Sequence, residues 1–209
     1  MIKVILCDDH ALIRRGIRDT LADAADIEVV GEAGDYGELR ALLRERSCDV
    51  LVLDINLPGR SGLDVLHVLK EEGTPVKVLV VSMFPEDQYA MRALKAGASG
   101  YLNKGGDAAQ IVAAVRTVSQ GRKYVTPEMA QMLVDNLTTP APEDAHQKLS
   151  DRELQTLVMI ASGKRLSDIA EQLLLSPKTV SVYRARVLEK LGLTNNSELT
   201  VYAIRNGLV

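Results

Sequence analysis

The feature that most constrains this chain is an alternation confined to its first 121 residues. Five short runs rich in β-branched residues, IKVIL, IEVVGEA, DVLVLD, VKVLVVS and the shorter GYLN, are separated by stretches with helical spacing. Those stretches carry their own start signals, with Asp35 and Glu38, Ser61 and Asp64, and Asp107 and Gln110 in capping-box positions. Strands that alternate with helices of ten or more residues read as repeated βαβ units, which demand parallel strands and a sheet covered on both faces. The continuous apolar run VLVL fits burial on both sides. The pattern predicts an α/β doubly wound, five-stranded parallel sheet that ends near Gly121, after a helix from Ala108 to Gln120.

Beyond Gly121 the pattern changes. Thr126 is placed to cap a helix with Pro127 at its first position, running through Leu137. The stretch TTPAPEDAHQK, residues 138–148, has two prolines and no periodicity, and reads as an exposed linker. Every later segment is helical. Ser150 with Glu153 precedes one helix, Ser167 starts a second, Ser176-Pro177 a third, and Asn195 with Glu198 a fourth. The expected organisation is therefore a domain over residues 1–121, a linker with one helix over 122–148, and a small all-α four-helix domain over 149–209. Charge follows this division: from Lys148 onward nine Lys or Arg stand against six Asp or Glu, while the preceding residues have 16 against 22. An acidic front and a mildly basic tail point to two jobs.

Cys7 and Cys48 both lie beside apolar runs, as reduced thiols in a core do, and neither is read as functional. The start MIKVILCDDH places acids where a signal peptide needs its cleavage site, and no apolar run approaches the ~18 residues of a membrane span. The expectation is a cytoplasmic protein with no membrane partner.

In an open parallel sheet ligands gather at the carboxyl ends of the strands. Here strand one is followed by Asp8 and Asp9, strand three by Asp54, strand four ends at Ser82, and strand five runs into Asn103 and Lys104. Three carboxylates brought that close cannot all stay ionised without a cation. Mg²⁺ suits them, since it prefers hard oxygens and typically takes one or two carboxylates plus phosphate oxygens. Asp9 and Asp54 are expected as direct ligands, Asp8 through a water, and the Asn56 backbone carbonyl as a further one. His10 reads as a helix-start residue on the rim. A metal-bound carboxylate beside a fixed ammonium is suited to attack phosphorus, with Lys104 and the Ser82 hydroxyl holding the transferred oxygens.

The pattern Asp8-Asp9-His10, Asp54 followed by Leu57-Pro58-Gly59 and Gly62, Ser82, and Gly100-Tyr101-Leu102-Asn103-Lys104 resembles a receiver domain of two-component signalling over residues 2 to about 121. The resemblance implies a flavodoxin-like fold and a phosphoacceptor at Asp54, supplied by a phosphohistidine on a sensor histidine kinase with Mg²⁺ required. It also implies that Ser82 and Tyr101 change rotamer when the phosphoryl group arrives. Met83 follows the strand-four hydroxyl where a small residue is usual, and its bulk is expected to roof part of the site.

In the tail, LSDIAEQLLLSPKTVSVYRARVLEKL, residues 166–191, reads as two helices at a tight turn. Ile169, Ala170, Leu173 and Leu174 share one face of the first; Val180, Val187 and Leu191 face inward on the second. That leaves Lys178, Ser181, Val182, Ala185 and Arg186 outside, as in a helix-turn-helix whose second helix enters a major groove. The segment from Leu149 to Leu193 is similar to the LuxR-type output domain, and the whole chain to response regulators of the NarL/FixJ family. By position, the resemblance implies that Lys178, Thr179, Tyr183 and Lys190 grip phosphates and that Ser181, Val182 and Ala185 face base edges. Expected partners are a sensor kinase, double-stranded promoter DNA, a second copy of the chain and RNA polymerase. The competing readings are a phosphatase using Asp54 on a separate substrate, disfavoured because Asn56 stands where its second aspartate belongs, and a quorum-sensing regulator, disfavoured by one Phe and no Trp.

Overall fold

In the computed structural model the described residues are 1–138 and 145–209. They divide into two compact units, Met1–Asp135 and Asn136–Val209. The first unit is built on strands β1 (Ile2–Cys7), β2 (Ile27–Ala33), β3 (Val50–Leu53), β4 (Lys77–Ser82) and β5 (Gly100–Asn103). All pair in parallel, in the order β2-β1-β3-β4-β5. Helices α1 (Ala11–Ala22), α2 (Tyr36–Glu45), α3 (Gly62–Glu71), α4 (Glu86–Ala96) and α5 (Ala108–Ser119) alternate with them. One face of the sheet buries Val4, Leu6, Val50, Val52, Leu79, Val81 and Leu102 under α1 and α5, whose Leu21, Ile111, Ala114, Val115 and Val118 complete that core. Strand β3 is buried throughout, as a central parallel strand covered on both faces must be.

The order reverses between β1 and β3, and the site residues are set by that register. Cys7 pairs with Leu53, and the Asp54 N–H donates to the Cys7 carbonyl at 2.8 Å, so the acids after β1 and β3 emerge side by side. Ser82 pairs with Asn103, and the Lys104 N–H donates to the Ser82 carbonyl at 2.8 Å.

Three capping details differ from expectation. Asp35 accepts from the Glu38 N–H, but the Glu38 carboxylate accepts from Gly34 at 2.7 Å instead of Asp35. Ser61 caps through Leu63 rather than Asp64, and Asp107 through Ala109. A short side chain at an N-cap reaches N2 or N3 with equal ease, and the local backbone chooses.

The first unit extends beyond Gly121. Helix α6 (Pro127–Thr138) begins as expected, with the Met129 N–H donating to Thr126 Oγ1 at 3.2 Å. Its approach is fixed to the sheet: Tyr124 bridges Gly100 in parallel, its N–H donates to Ser99 O at 2.9 Å, and Met129 is buried. The compact unit therefore closes at Asp135. Of the expected 138–148 linker, residues 139–144 lie outside the described residues, and Ala145–Lys148 forms a turn of 3₁₀ helix.

The second unit contains α7 (Asp151–Ala161), α8 (Leu166–Gln172), α9 (Pro177–Leu191) and α10 (Asn196–Arg205). Helix α7 packs against α9 and α10, and α8 against α9. Leu154, Leu157, Ile169, Leu173, Val180, Val187, Leu199 and Ala203 fill the core. Ser150 and Glu153 form a complete capping box on α7. Helix α8 starts one residue before Ser167, with Arg165 at its N-cap. It also ends early. Leu174, expected on the inner face, has φ +50° and is 68% exposed. The chain leaves helical geometry at the turn, so helical spacing no longer predicts where that side chain points.

Candidate functional site

The acids that follow β1 and β3 meet in a buried cluster. Lys104 Nζ lies 2.7 Å from Asp8 Oδ2 and 2.7 Å from Asp54 Oδ2, with its side chain 3% exposed. Asp8 and Asp54 are both buried. The other Asp8 oxygen accepts from the His10 N–H at 2.8 Å, and His10 Nδ1 lies 2.6 Å from Asp9 Oδ1. Asp8, Asp9, His10 and Asp54 each place one ligand atom within 4.8 Å of the others. His10, half-exposed at the N-cap of α1, thus stands at the rim as expected while its ring reaches the acids.

Three carboxylate oxygens of this cluster are buried without a hydrogen-bond partner, but Asp8 Oδ2 faces Lys104 Nζ at 2.7 Å and Asp9 Oδ1 faces His10 Nδ1 at 2.6 Å. Asp54 Oδ1 is buried without a hydrogen-bond partner, as is Asn56 Oδ1 two residues further on. Burial pushes the Asp54 carboxyl above its ordinary range, the Lys104 ammonium pulls it down, and the Asp8 charge pushes it up again. A buried carboxylate oxygen left unpaired beside further carboxylates is costly unless a cation or a transferred group takes it up. The donor set is hard oxygen, so the residues fit a divalent cation of the Mg²⁺ type. By contrast, burial followed by the charges of Asp8, Asp54 and Asp35 drives the Cys7 thiol far up, and burial raises Cys48 to about 11. Both thiols stay protonated, in keeping with no chemical role.

Two supports hold the site, and of these Gly62 belongs to the sequence pattern while Arg14 was not legible in it. Arg14 donates from its guanidinium to the Asp8 carbonyl and is anchored by Glu32, with Nε 3.2 Å from Oε2. The backbone of the acid pair is therefore held from α1 as well as from β1. The available signal was an arginine one turn into the helix that follows the acids. Gly62 lies against the Asp54 backbone, where a Cβ would stand 2.1 Å from the Asp54 carbonyl oxygen. Only glycine admits that approach.

Ser82 and Tyr101 are also brought to this edge. Ser82 is buried and its Oγ accepts from the Phe84 N–H at 3.3 Å. Tyr101 is fully buried rather than solvent-facing, and its hydroxyl donates to the Phe84 carbonyl at 2.8 Å. Burial drives that hydroxyl well above its ordinary range, against a hydrogen bond with Ser82, so it serves as a neutral donor. Asn103 Nδ2 donates to the same Phe84 carbonyl at 3.1 Å, and the Phe84 ring stacks on Tyr89 at 4.4 Å. Met83 is 64% exposed.

In the second unit, Ser176 caps α9 and Pro177 occupies its first turn. Val180 and Val187 are buried; Lys178, Ser181, Val182, Ala185 and Arg186 are exposed, and Thr179 and Tyr183 are half-buried on the same helix. Thr179 Oγ1 sits 2.8 Å from Ser176 Oγ within the cap. Lys190, expected to grip a phosphate, is paired within the unit and stays 39% exposed at its side chain. Its Nζ lies 2.6 Å from Oε2 of Glu153, whose side chain is 3% exposed. That ammonium neutralises an acid buried at the start of α7.

Comparison with known proteins agrees with this geometry. The response regulator receiver domain matches residues 4–116, and the luxR family of bacterial regulatory proteins matches residues 147–203. Over 210 residues the chain is 40% identical to the response regulator GacA of Pseudomonas aeruginosa, covering 100% of this chain and 98% of that protein. It is 39% identical to the response regulator UvrY of Escherichia coli, covering 100% and 96%. Among solved structures, RcsB of Salmonella enterica serovar Typhimurium, bound to the rprA promoter with the phosphomimetic BeF3⁻, aligns over 96% of this chain and 97% of its own at TM-score 0.64 and 26% identity. The heme-sensing system's regulator ChrA aligns over 100% and 98% at TM-score 0.53 and 31% identity. The chain belongs to the NarL/FixJ family of two-component response regulators, with a receiver domain and a LuxR-type DNA-binding domain.

Proposed function

We propose that Asp54 is the phosphoacceptor and that its phosphorylation by a sensor histidine kinase controls promoter binding by α9. The observation that carries this reading is the unpartnered, buried Oδ1 of Asp54, set beside a lysine that clamps the other oxygen to Asp8. Asp8, Asp9 and Asp54, with the Asn56 backbone carbonyl, would hold Mg²⁺, which supplies charge neutralisation for the incoming phosphoryl oxygens. Asp54 supplies the attacking oxygen: a P–O bond forms as the P–N bond to the kinase imidazole breaks, and the electron pair returns to that nitrogen. Lys104 remains next to the new phosphoryl group as its counter-ion, and the Ser82 hydroxyl turns to donate to it. Tyr101 completes the switch from within the core. Because Asn56 offers no carboxyl proton donor where a phosphatase needs one, the chain modifies itself and turns over no external substrate.

Lys178, Thr179 and Tyr183 contact phosphates, and Ser181, Val182 and Ala185 face the bases, with Val182 and Ala185 suited to thymine methyls. Arg186 adds charge on the same exposed side, and Lys190, paired with Glu153 at the C-terminal end of α9, grips a further phosphate. Paired half-sites are bound by a homodimer, with RNA polymerase the further partner at the promoter. The cell compartment is the cytoplasm; among the described residues no helix is long and apolar enough to cross a membrane.

The test is acetyl phosphate with Mg²⁺, followed by intact-mass measurement and gel-shift binding to promoter fragments. One phosphoryl adduct on the wild type, none on Asp54→Asn, and donor-responsive promoter affinity in the wild type alone are the expected results. An adduct of equal yield on Asp54→Asn overturns the assignment.

A further inference from the structure

The phosphoacceptor edge and the start of α6 are joined by a short chain of contacts. Phe84 stands at its centre: its N–H is on Ser82 Oγ, its carbonyl takes both Tyr101 and Asn103, and its ring lies on Tyr89. Two residues later Glu86 opens α4, and Glu86 Oε2 accepts the Thr126 hydroxyl at 2.7 Å. The same Thr126 oxygen accepts the Met129 N–H at 3.2 Å and so caps α6. Thr126 is largely buried. It is held close by a tight seam, since the Gly100–Tyr124 bridge leaves only 3.0 Å between a would-be Gly100 Cβ and the Tyr124 side chain.

We propose that Glu86 and Thr126 form a latch that carries the state of Asp54 to helix α6. This rests on Asp54 being the phosphoacceptor. When Ser82 Oγ is drawn to an oxygen on Asp54, the Phe84 N–H loses its acceptor and the β4–α4 loop shifts. Glu86 moves with that loop and releases Thr126. Helix α6 then keeps its cap oxygen but loses the anchor that fixes its first turn to the receiver. A hydrogen bond to a charged acceptor is strong enough to shift a local opening equilibrium by about tenfold or more. Among the described residues α6 is the last helix that begins in the first unit, so the release ends at the receiver's C-terminal helix.

The substitutions separate the latch from the cap. Thr126→Ser keeps both functions. Thr126→Asp keeps a side-chain acceptor for the Met129 N–H but sets a carboxylate against Glu86. Glu86→Ala removes the anchor and leaves the cap untouched. Hydrogen exchange on the full-length protein, with and without BeF3⁻ and Mg²⁺, reports residues 83–86 and 127–133 separately. In the wild type and Thr126→Ser, beryllofluoride lowers protection in both segments, by about tenfold at the start of α6. In Thr126→Asp and Glu86→Ala, protection at 127–133 is low from the outset and beryllofluoride changes it no further, while residues 83–86 respond as in the wild type. A wild-type-sized response at 127–133 in both of these variants overturns the latch and leaves the phosphoacceptor reading intact. No response at 83–86 in the wild type overturns the latch at its first step, and the adduct measurement on Asp54→Asn then decides the phosphoacceptor reading by itself.

Discussion

Residue positions around Asp54 show how little slack the site has. A methyl group at Gly62 has nowhere to go, because the atoms it meets are backbone of Asp54 and Ile55 rather than flexible side chains. Gly62→Ala is expected to cost about 3 kcal/mol, the upper end for overpacking a closed interior. Because the displaced atoms belong to the proposed phosphoacceptor, it should also abolish adduct formation. Urea titration and intact-mass measurement check the two effects, and an unchanged urea midpoint would contradict the geometry. The identities of Asp8, Asp9, Asp54, Ser82 and Lys104 could be read from strand ends alone, because a parallel sheet sends all its carboxyl ends to one edge. Arg14 and Glu32 could not. Their contact depends on α1 lying beside β2, which the residues of α1 do not state.

At the scale of elements, α7 and α9 are tied by the Glu153–Lys190 pair. Glu153 also accepts the Ser150 N–H at 2.8 Å, so a single carboxylate closes a capping box and an ion pair. Burial works to raise its carboxyl, yet hydrogen bonds from Lys190 and Ser150 win and hold it below the ordinary glutamate range. A depressed carboxyl stabilises the fold at pH values above the unfolded-state range and loses that contribution as pH falls from there through the lower folded-state value. Acid should therefore lower the melting temperature of the second unit more steeply in the wild type than in Glu153→Gln. Lys190→Met strands a buried carboxylate and is expected to destabilise the unit by about 3 kcal/mol. Thermal melts across pH 3–7 measure both, and equal acid slopes in wild type and Glu153→Gln would exclude the pair as a stabilising element. A helical wheel places Lys190 outside, but it cannot name as its partner an acid 37 residues away in sequence. Leu174 failed for a related reason, since spacing rules hold only while the backbone stays helical.

For the whole molecule, the overall charge is slightly acidic, so the bulk field does not supply DNA affinity, and the proposed contact through α9 has to rest on local cations. Lys178→Ala should weaken binding to all sequences alike and reduce the slope of log affinity against log salt by about one unit, as loss of one phosphate contact does. Fluorescence anisotropy on a promoter fragment and on unrelated DNA over a salt series checks this. A change in base preference with an unaltered slope would move Lys178 from backbone to base contact. The alternating strand and helix periodicities, the capping residues and the acids at strand ends determined a parallel receiver sheet, the gathering of its acids at one edge and a helical DNA-binding tail, because these are local or follow from one topological rule. The tertiary structure alone decided that Tyr101 is buried against the Phe84 carbonyl, that Lys190 serves Glu153, that Arg14 holds the Asp8 backbone, and that residues 122–135 belong to the first unit. Each of these is a contact between segments remote in sequence. Which of several compatible partners a polar side chain takes is fixed only when packing brings one of them within hydrogen-bond reach.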